Sequence, residues 1–225
     1  MLYQYADNGK KSGRADGNVY MRNGRVRGMT VPSYVSNDAT SRARADFSNG
    51  SSAAWAALTD AERLSWMGAT GHFVSNRFGV LKEISGKELY VQCFANCALV
   101  GTTPPDTYPD LLKPLALESL SGAASAGGGT NALTFTATPQ PANRHIIVMA
   151  TSQKRATIYR PGKSLYRLVS ATAAAPISPL SIFADYLAKF GALTAGQKIF
   201  VRCHVIDDRS GFASASVDAV YTVAA

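Results

Sequence analysis

Three kinds of side chain in this sequence could do chemistry: cysteine, histidine and paired aspartate. Cys93 and Cys97 stand four residues apart, a spacing that places both thiols on one face of a helix. Thiolates at that spacing bind a metal only when further ligands lie nearby. The histidines, His72, His145 and His204, are scattered along the chain. We therefore expect no metal site and no cofactor, and we interpret the cysteines as buried, reduced thiols of a chain folded in a reducing cytoplasm.

Two other stretches that could do chemistry, DDRSG and AGGGTNA, have the composition of turns. Asp207 and Asp208 begin a DDRSG stretch, which could bind a cation but favours a turn between two strands. The glycine-rich stretch AGGGTNA precedes a strand, whereas a phosphate-binding loop needs a helix after it. The motifs HExxH and GxSxG and the Walker-type loop are missing from the sequence. The sequence therefore predicts a protein that is not an enzyme and has no catalytic residues.

Composition allows a folded core and indicates a basic surface. Of 225 residues, 46% are hydrophobic and 17% are charged, which is ordinary for a folded protein. No apolar run approaches the roughly 20 residues that a membrane helix needs, so we expect no membrane contact. The N-terminus lacks the basic-then-apolar order of a secretory signal, and three cysteines do not form a disulfide framework. The net charge of +8 makes polyanions plausible partners, and an acidic protein neighbour equally so.

The basic charge is concentrated in two blocks. No acidic residue occurs between Glu118 and Asp185. Six basic residues in that gap predict a basic surface: Arg144, Lys154, Arg155, Arg160, Lys163 and Arg167. Residues 1–37 form the second block, with six basic and two acidic residues. Such blocks could touch DNA phosphates, an acidic partner or only water.

Residues 1–37 are predicted to form an extended arm. The stretch GNVYMRNGRVRG predicts strands over 18–22 and 25–31 around an Asn-Gly turn, the strongest short hairpin signal. These strands are too short and too charged to bury a face alone. We therefore expect the arm to pair with a neighbouring subunit. The residues that carry this expectation are Val19, Tyr20, Arg22, Arg25 and Arg27.

Residues 38–101 are predicted to form a small helical domain. The first helix starts near Asp38, with a bend expected at Gly50. Two capping boxes, TDAE from Thr59 and SGKE from Ser85, start two further helices, and Gly101 ends the last. Apolar residues at helical spacing predict the core of this unit: Phe47, Trp55, Leu58, Trp66, Leu89 and Phe94.

A proline-rich linker, residues 102–114, is followed by a β domain over 115–225. Four prolines in the linker exclude a regular helix or a central strand. Six short apolar runs then predict strands, and Leu133, Phe135 and Ala137 share one face. One helix, in the stretch SPLSIFADYLAKFG, interrupts them. The fold class is therefore α+β: an extended N-terminal β arm and a small helical unit, followed by a two-sheet β-sandwich with one inserted helix.

The order of these features resembles small structural proteins of tailed-bacteriophage virions. The resemblance covers roughly residues 17–109 and lies in the Gly/Arg-rich arm, the Arg-x-x-Phe helix (Arg44 to Phe47), the segment WAALTDAERLSW and the helix that begins with SG. The stretch LTAGQKIFVRCHVIDDRSGFASAS resembles fibronectin-III modules, which implies an immunoglobulin- or fibronectin-III-like sandwich. The resemblance implies a non-enzymatic virion protein, capsid- or tail-associated and made in the host bacterial cytoplasm. Its expected partners are further copies of itself and other virion proteins, contacted through the arm.

A binding module is the alternative that the residues leave open. The basic blocks favour nucleic acid, whereas exposed aromatic residues such as Tyr159 and Tyr166 favour carbohydrate. Phosphate contacts make binding fall steeply with salt. A steep loss of binding with added salt would therefore support the DNA-binding alternative, and a flat dependence would exclude it.

Overall fold

The computed structural model describes residues 4–6, 10–15, 18–20, 26–28, 38–75, 80–111, 113–138, 140–162 and 165–225. The predicted Asn-Gly turn of the arm, with Arg22 and Arg25, lies outside these residues, as does Lys163. The described chain is mixed α+β and contains four helices. Its contacts divide it into two compact units, Met1–Gly50 and Ser51–Ala225.

The first unit is built on a four-stranded antiparallel sheet. Its strands follow the order of the chain: β1 (Gln4–Ala6), β2 (Lys10–Ala15), β3 (Asn18–Tyr20) and β4 (Val26–Gly28). Val19 pairs with Arg27 and Tyr20 with Val26, so β3 and β4 run side by side as the two sides of a hairpin do. Among the described residues, β1 and β4 each pair on one side only.

Helix α1 (Asp38–Ala57) continues without a break through Gly50, where the sequence predicts a bend. One glycine costs a helix only about 1 kcal/mol relative to alanine, and the alanine-rich turns that follow tolerate it. Residues 41–50 are all exposed. Phe47 is 38% exposed, so its predicted place in the helical core is not observed. This half of the helix buries too little apolar surface to anchor a core.

The second unit begins with two short helices and a small hairpin. They are α2 (Asp60–Met67), β5 (Phe73–Ser75), β6 (Leu81–Glu83) and α3 (Gly86–Val100). Both predicted capping boxes are confirmed, with Thr59 and Glu62 at α2 and Ser85 and Glu88 at α3. Gly101 ends α3 in the left-handed conformation, φ 76°, as predicted.

A curled seven-stranded sheet forms the rest of the second unit. It contains β7 (Ser119–Ser125), β8 (Thr130–Thr136), β9 (Arg144–Ala150), β10 (Arg167–Ala171), β11 (Leu180–Ser181), β12 (Lys198–Asp207) and β13 (Val217–Ala224), in the order β10-β9-β12-β13-β7-β8-β11. Two antiparallel ladders meet where β13 and β7 pair in parallel, Val223 opposite Ala124. All six predicted apolar runs contain a strand.

The inner faces of both ladders enclose one core. Leu133 and Phe135 are buried there and the threonines beside them are exposed, as the alternation predicts. Ala137, the third residue of that predicted face, lies beyond the end of β8 and is exposed. Helix α4 (Phe183–Phe190) adds Tyr186, whose buried hydroxyl donates to the carbonyl of Thr151 at 3.0 Å. The helix starts later than the sequence predicts because Leu180–Ser181 pairs with β8 instead.

The contact between α2 and α3 predicts a test on two glycines. A Cβ on Gly86 would clash with the backbone of Trp66 and Met67, which cannot move without shifting α2. We expect Gly86→Ala to destabilise the protein by about 3 kcal/mol, the scale of a severe packing defect. Gly68→Ala is the matched control, because its Cβ would meet only ordinary contacts and its φ of −74° suits alanine. Urea unfolding followed by tryptophan fluorescence measures both, and equal midpoints would show that the close contact does not matter.

Candidate functional site

Most of the predicted helical-core residues meet in one buried cluster. We call this the helical cluster; its buried members are Leu58, Trp66, Ile84, Leu89, Tyr90, Cys93 and Phe212. Trp55 packs against the cluster and is half-buried. Phe94 is also half-buried but is not one of its members. The structure therefore brings together four of the six predicted residues, with Trp55 at the edge, and leaves Phe47 and Phe94 outside.

Trp66 is the centre of the helical cluster. Its side chain is fully buried, and its indole N–H donates to the carbonyl of Asp106 at 2.9 Å. The rings of Tyr90 and Tyr108 meet it edge to face, with centroids 5.2 and 5.5 Å away. Asp106 and Tyr108 belong to the proline-rich segment that the sequence predicts as a linker. That segment is therefore fixed against α2 rather than free.

The turn after β12 inserts Phe212 into the helical cluster. Gly211 has φ of 72°, and a Cβ there would lie 2.8 Å from Cβ of Cys93. The side-chain amide of Asn96 donates to the carbonyl of Gly211 at 2.7 Å. The Phe212 ring then contacts His72, at a centroid distance of 5.6 Å. Phe212 thus ties the turn after β12 to the helices, while the core of the sheet forms a separate cluster. The boundary predicted within 102–114 does not divide the chain into its two compact units.

Cys93 and His72 contribute to this packing, and Cys203 is buried in the core of the sheet. Burial raises the pKa of Cys93 and of Cys203 to about 12, which suppresses the reactive thiolate. Burial, together with the nearby Lys113 charge, lowers the pKa of His72 and favours the neutral ring, whose Nε2 lies 2.8 Å from the Tyr108 hydroxyl. All three cysteines are free and buried, as predicted. In the described ranges, no three His, Cys, Asp or Glu side chains come together in a group that could hold a metal.

The DDRSG stretch is a turn, as predicted. The amide of Gly211 donates to the carbonyl of Asp207 at 2.8 Å, and Arg209 pairs with the Asp207 carboxylate at 3.0 Å. Although burial opposes it, hydrogen bonds from Arg209 and Asn143 lower the pKa of Asp207. The Asp207 carboxylate is thus committed to the turn.

The predicted basic surface does not form a single patch. Arg144 begins β9, where it pairs across the ladder with Asp207. Arg167 pairs with Ala150 at the other end of that strand, on the order of 20 Å away at the usual rise per residue. Lys154 is half-buried and its ammonium donates to the Ser152 hydroxyl at 3.0 Å. The exposed members are Arg155, Arg160 and Arg167.

A pocket of about 190 Å³ lies on the outer face of β12 and β13, beside Arg160. We call it the Tyr159 pocket; its lining includes Tyr159, Arg160, Tyr166, Phe200, Asp218 and Val220. Tyr159 is 89% exposed, whereas Tyr166 is only 8% exposed. Of the two aromatic residues that the sequence offered for carbohydrate contact, Tyr159 therefore presents its ring to solvent and Tyr166 underlies the pocket.

Charged groups brace this pocket. The Arg202 guanidinium donates to both oxygens of Asp218, each at 2.7 Å, and lies over the Tyr166 ring at 4.7 Å. Hydrogen bonding from Arg202 holds the pKa of Asp218 below its ordinary value, and the Arg160 charge adds to this. The Lys198 ammonium lies 5.2 Å from the centroid of the Tyr159 ring. Sequence reasoning missed Arg202 and Asp218, although facing strands in KIFVRCHVID and VDAVYTVA offered the signal.

Comparison with known proteins adds little to this geometry. No protein-family model matches the chain, and no curated protein matches it. A solved fibronectin-III-like protein from Clostridium thermocellum is similar to it, with 14% sequence identity and a TM-score of 0.30, over 48% of this chain and 92% of that one. A likeness at that level carries no argument about function. Where the chain is described, its helices are too short or too polar to cross a membrane.

The insertion of Phe212 into the helical cluster predicts one cooperative unfolding transition for helices and sheet. Phe212→Ala should lower the free energy of unfolding by about 3–5 kcal/mol, as for other buried phenylalanines. Val220→Ala, on the exposed face of the neighbouring strand, is the control and should change it by under about 1 kcal/mol. Guanidinium unfolding followed by tryptophan fluorescence and by far-UV circular dichroism measures the effect. Separate transitions in the two signals would contradict this coupling of helices and sheet.

The ion pair of Arg202 and Asp218 predicts a pH dependence. Folding lowers the pKa of Asp218 from its ordinary value of 3.8. The ion pair therefore stabilises the protein fully at a pH well above 3.8, and this stabilisation is lost as the pH falls through the pKa that Asp218 has in the folded protein. Because the Asp218 side chain is 52% exposed, we expect at most about 1 kcal/mol at pH 7. Urea unfolding at several pH values should show Asp218→Asn less stable than wild type at neutral pH and equal to it in acid. Asp110→Asn, at an exposed carboxylate outside the ion pairs of the described chain, should show no such convergence.

Proposed function

We propose that this protein is a non-enzymatic structural protein of a tailed-bacteriophage virion, and that it assembles with further copies of itself through its N-terminal arm. The order of arm, Arg-x-x-Phe helix, tryptophan-containing segment and SG helix supports the virion role, because it resembles such proteins over residues 17–109. Other virion proteins are its further partners. Its location is the virion, after synthesis in the host bacterial cytoplasm.

One observation carries the assembly proposal: the four-stranded sheet of the first unit has two outer strands that pair on one side only, among the described residues. Such strands present unpaired backbone N–H and C=O groups, which a strand from another chain can satisfy. The strands are three to six residues long, and β2 reads KKSGRA. A sheet this short and polar gains little from burial within one copy. A neighbouring copy supplies both the missing hydrogen bonds and the missing contacts.

The second unit supplies a rigid body for this assembly. Phe212, in the turn after β12, packs into the helical cluster and so ties the helices to the end of a sheet strand. Helix α2 also exposes Leu64 and Met67, which are 67% and 64% exposed and lie three residues apart on one face. These two residues offer a contact independent of the arm, and they make a useful control.

A second candidate function, binding of nucleic acid or carbohydrate, is favoured by a separate observation. Arg155, Arg160 and Arg167 are exposed within a stretch that has no acidic residue from 119 to 184. Tyr159 is exposed and lines the same pocket as Arg160. Basic and aromatic side chains together suit an anionic ligand with ring surfaces.

Deletion of residues 1–37 tests the assembly proposal. We expect full-length protein to sediment as a discrete oligomer, and the deleted protein to sediment as a monomer at the same concentration. Sedimentation velocity measures the mass, and tryptophan fluorescence checks that the second unit stays folded. The full-length double variant Leu64→Ser/Met67→Ser is the control and should keep the wild-type mass. Assembly that survives the deletion but not the double variant would place the contact on α2 and refute the role of the arm.

A further inference from the structure

We propose that the Tyr159 pocket binds one acidic sugar residue, with the pyranose ring stacked on Tyr159 and its carboxylate held by Arg160. This inference deepens the second candidate function and does not depend on the assembly proposal. It names one class of ligand, an acidic sugar, where the sequence left nucleic acid and carbohydrate both open.

The size of the pocket favours a ligand of one ring. Its volume is about 190 Å³, below the roughly 300–1,000 Å³ of pockets that enclose drug-sized ligands. Phe200 and Tyr166 are both buried and give the pocket a firm apolar base. The pocket therefore has the scale of a single pyranose, whose C–H faces are apolar and whose edges carry hydroxyl groups.

The exposure of Tyr159 supports stacking. A ring that is 89% exposed adds almost nothing to the stability of the fold, yet it lines the pocket. Aromatic rings offer a large rigid contact area at a low cost in conformational entropy. Lys198 lies near the Tyr159 ring but does not line the pocket. The ring is thus held by a neighbour while the side towards the pocket stays available for a ligand.

The charges around the pocket favour a carboxylate-bearing sugar. Arg202 is occupied by its two hydrogen bonds to Asp218. Arg160 lines the same pocket and forms no ion pair with any residue in the described part of the chain. A guanidinium in that state can bind a carboxylate through two parallel hydrogen bonds. Arg160 is therefore the group that distinguishes an acidic sugar from a neutral one.

Asp218 favours a saccharide over a nucleic acid. Its carboxylate lies in the wall of the pocket and is half exposed, so its oxygens can accept hydrogen bonds from sugar hydroxyls. Proteins that bind single-stranded nucleic acid stack successive bases on several aromatic rings. In this pocket Tyr159 is the aromatic residue that is widely exposed.

A matched pair of sugars tests the proposal on the full-length protein. Methyl β-D-glucuronide and methyl β-D-glucoside differ only in the carboxylate at C6, and methyl galacturonide and N-acetylneuraminic acid extend the acidic set. Titrations followed by protein NMR chemical shifts give the dissociation constants. We expect at least one acidic sugar to bind about tenfold more tightly than the glucoside, the difference that one charge-assisted contact supplies. If no acidic sugar binds, the proposal is wrong.

Three variants locate the binding. Tyr159→Ala should weaken binding of the acidic sugar by about tenfold or more, consistent with the loss of a stacking contact. Arg160→Gln should remove the preference for the acidic sugar. Arg155→Gln removes the same charge from an exposed position that does not line the pocket, so it should leave binding unchanged. Equal effects of Arg155→Gln and Arg160→Gln would show attraction by general charge and overturn the proposal.

The remaining outcomes separate this proposal from the others. Binding of a single-stranded oligonucleotide that is lost in Tyr159→Ala, with no response to any sugar, would assign the pocket to nucleic acid instead. Tyr159→Ala should sediment with the wild-type mass, and protein lacking residues 1–37 should keep its sugar affinity. Failure of the arm proposal and failure of the sugar proposal are therefore seen in different measurements.

Discussion

The second unit depends on one constraint, the insertion of Phe212 into the helical cluster. A tight turn brings that ring from the end of a sheet strand to the rings of His72 and Tyr108. Gly211 makes the approach possible, because its backbone is left-handed and a Cβ would lie against Cys93. Without this contact the helices, the small hairpin and the segment with Asp106 and Tyr108 would have to bury Trp66 without help from the sheet. A core of that size is marginal for a chain segment of this length.

The polar groups around this contact are satisfied locally. The indole N–H of Trp66 uses the carbonyl of Asp106, and the backbone N–H of Tyr108 uses the hydroxyl of Ser65. Since prolines leave fewer backbone donors in this segment, it can lie against the helices without pairing in a sheet. The segment that joins the helices to the sheet is thus packed against the helical cluster. Its proline-rich composition predicted a linker because composition does not show such contacts. Leaving a carbonyl of this segment or the indole N–H buried without a partner would cost about 1–3 kcal/mol for each group.

Sequence patterns predicted the local elements well because each depends on neighbouring residues. Both capping boxes and the left-handed end at Gly101 follow from residues three or four positions apart. Leu133 and Phe135 follow from simple alternation. Phe212 could not be found in this way, because nothing within its own strand or turn indicates that its partner is 140 residues earlier in the chain, at His72. The same limit explains the Tyr159 pocket: Arg202 and Asp218 come together only through strand register.

Most of the reactive side chains of this protein take part in its fold, and this limits the chemistry that its surface can do. Cysteine thiols are buried with raised pKa values, His145 bonds the carbonyl of Thr172, and Asp207 holds a turn, so each is committed to the fold. The outer face of β12 and β13 instead offers an exposed ring, guanidinium groups and a braced carboxylate. These groups recognise a ligand by shape and charge and need no activated nucleophile. Because the sheet buries its opposite face in the core, the exposed positions of this outer face can vary in sequence with little cost to stability, which suits a recognition surface on a rigid support.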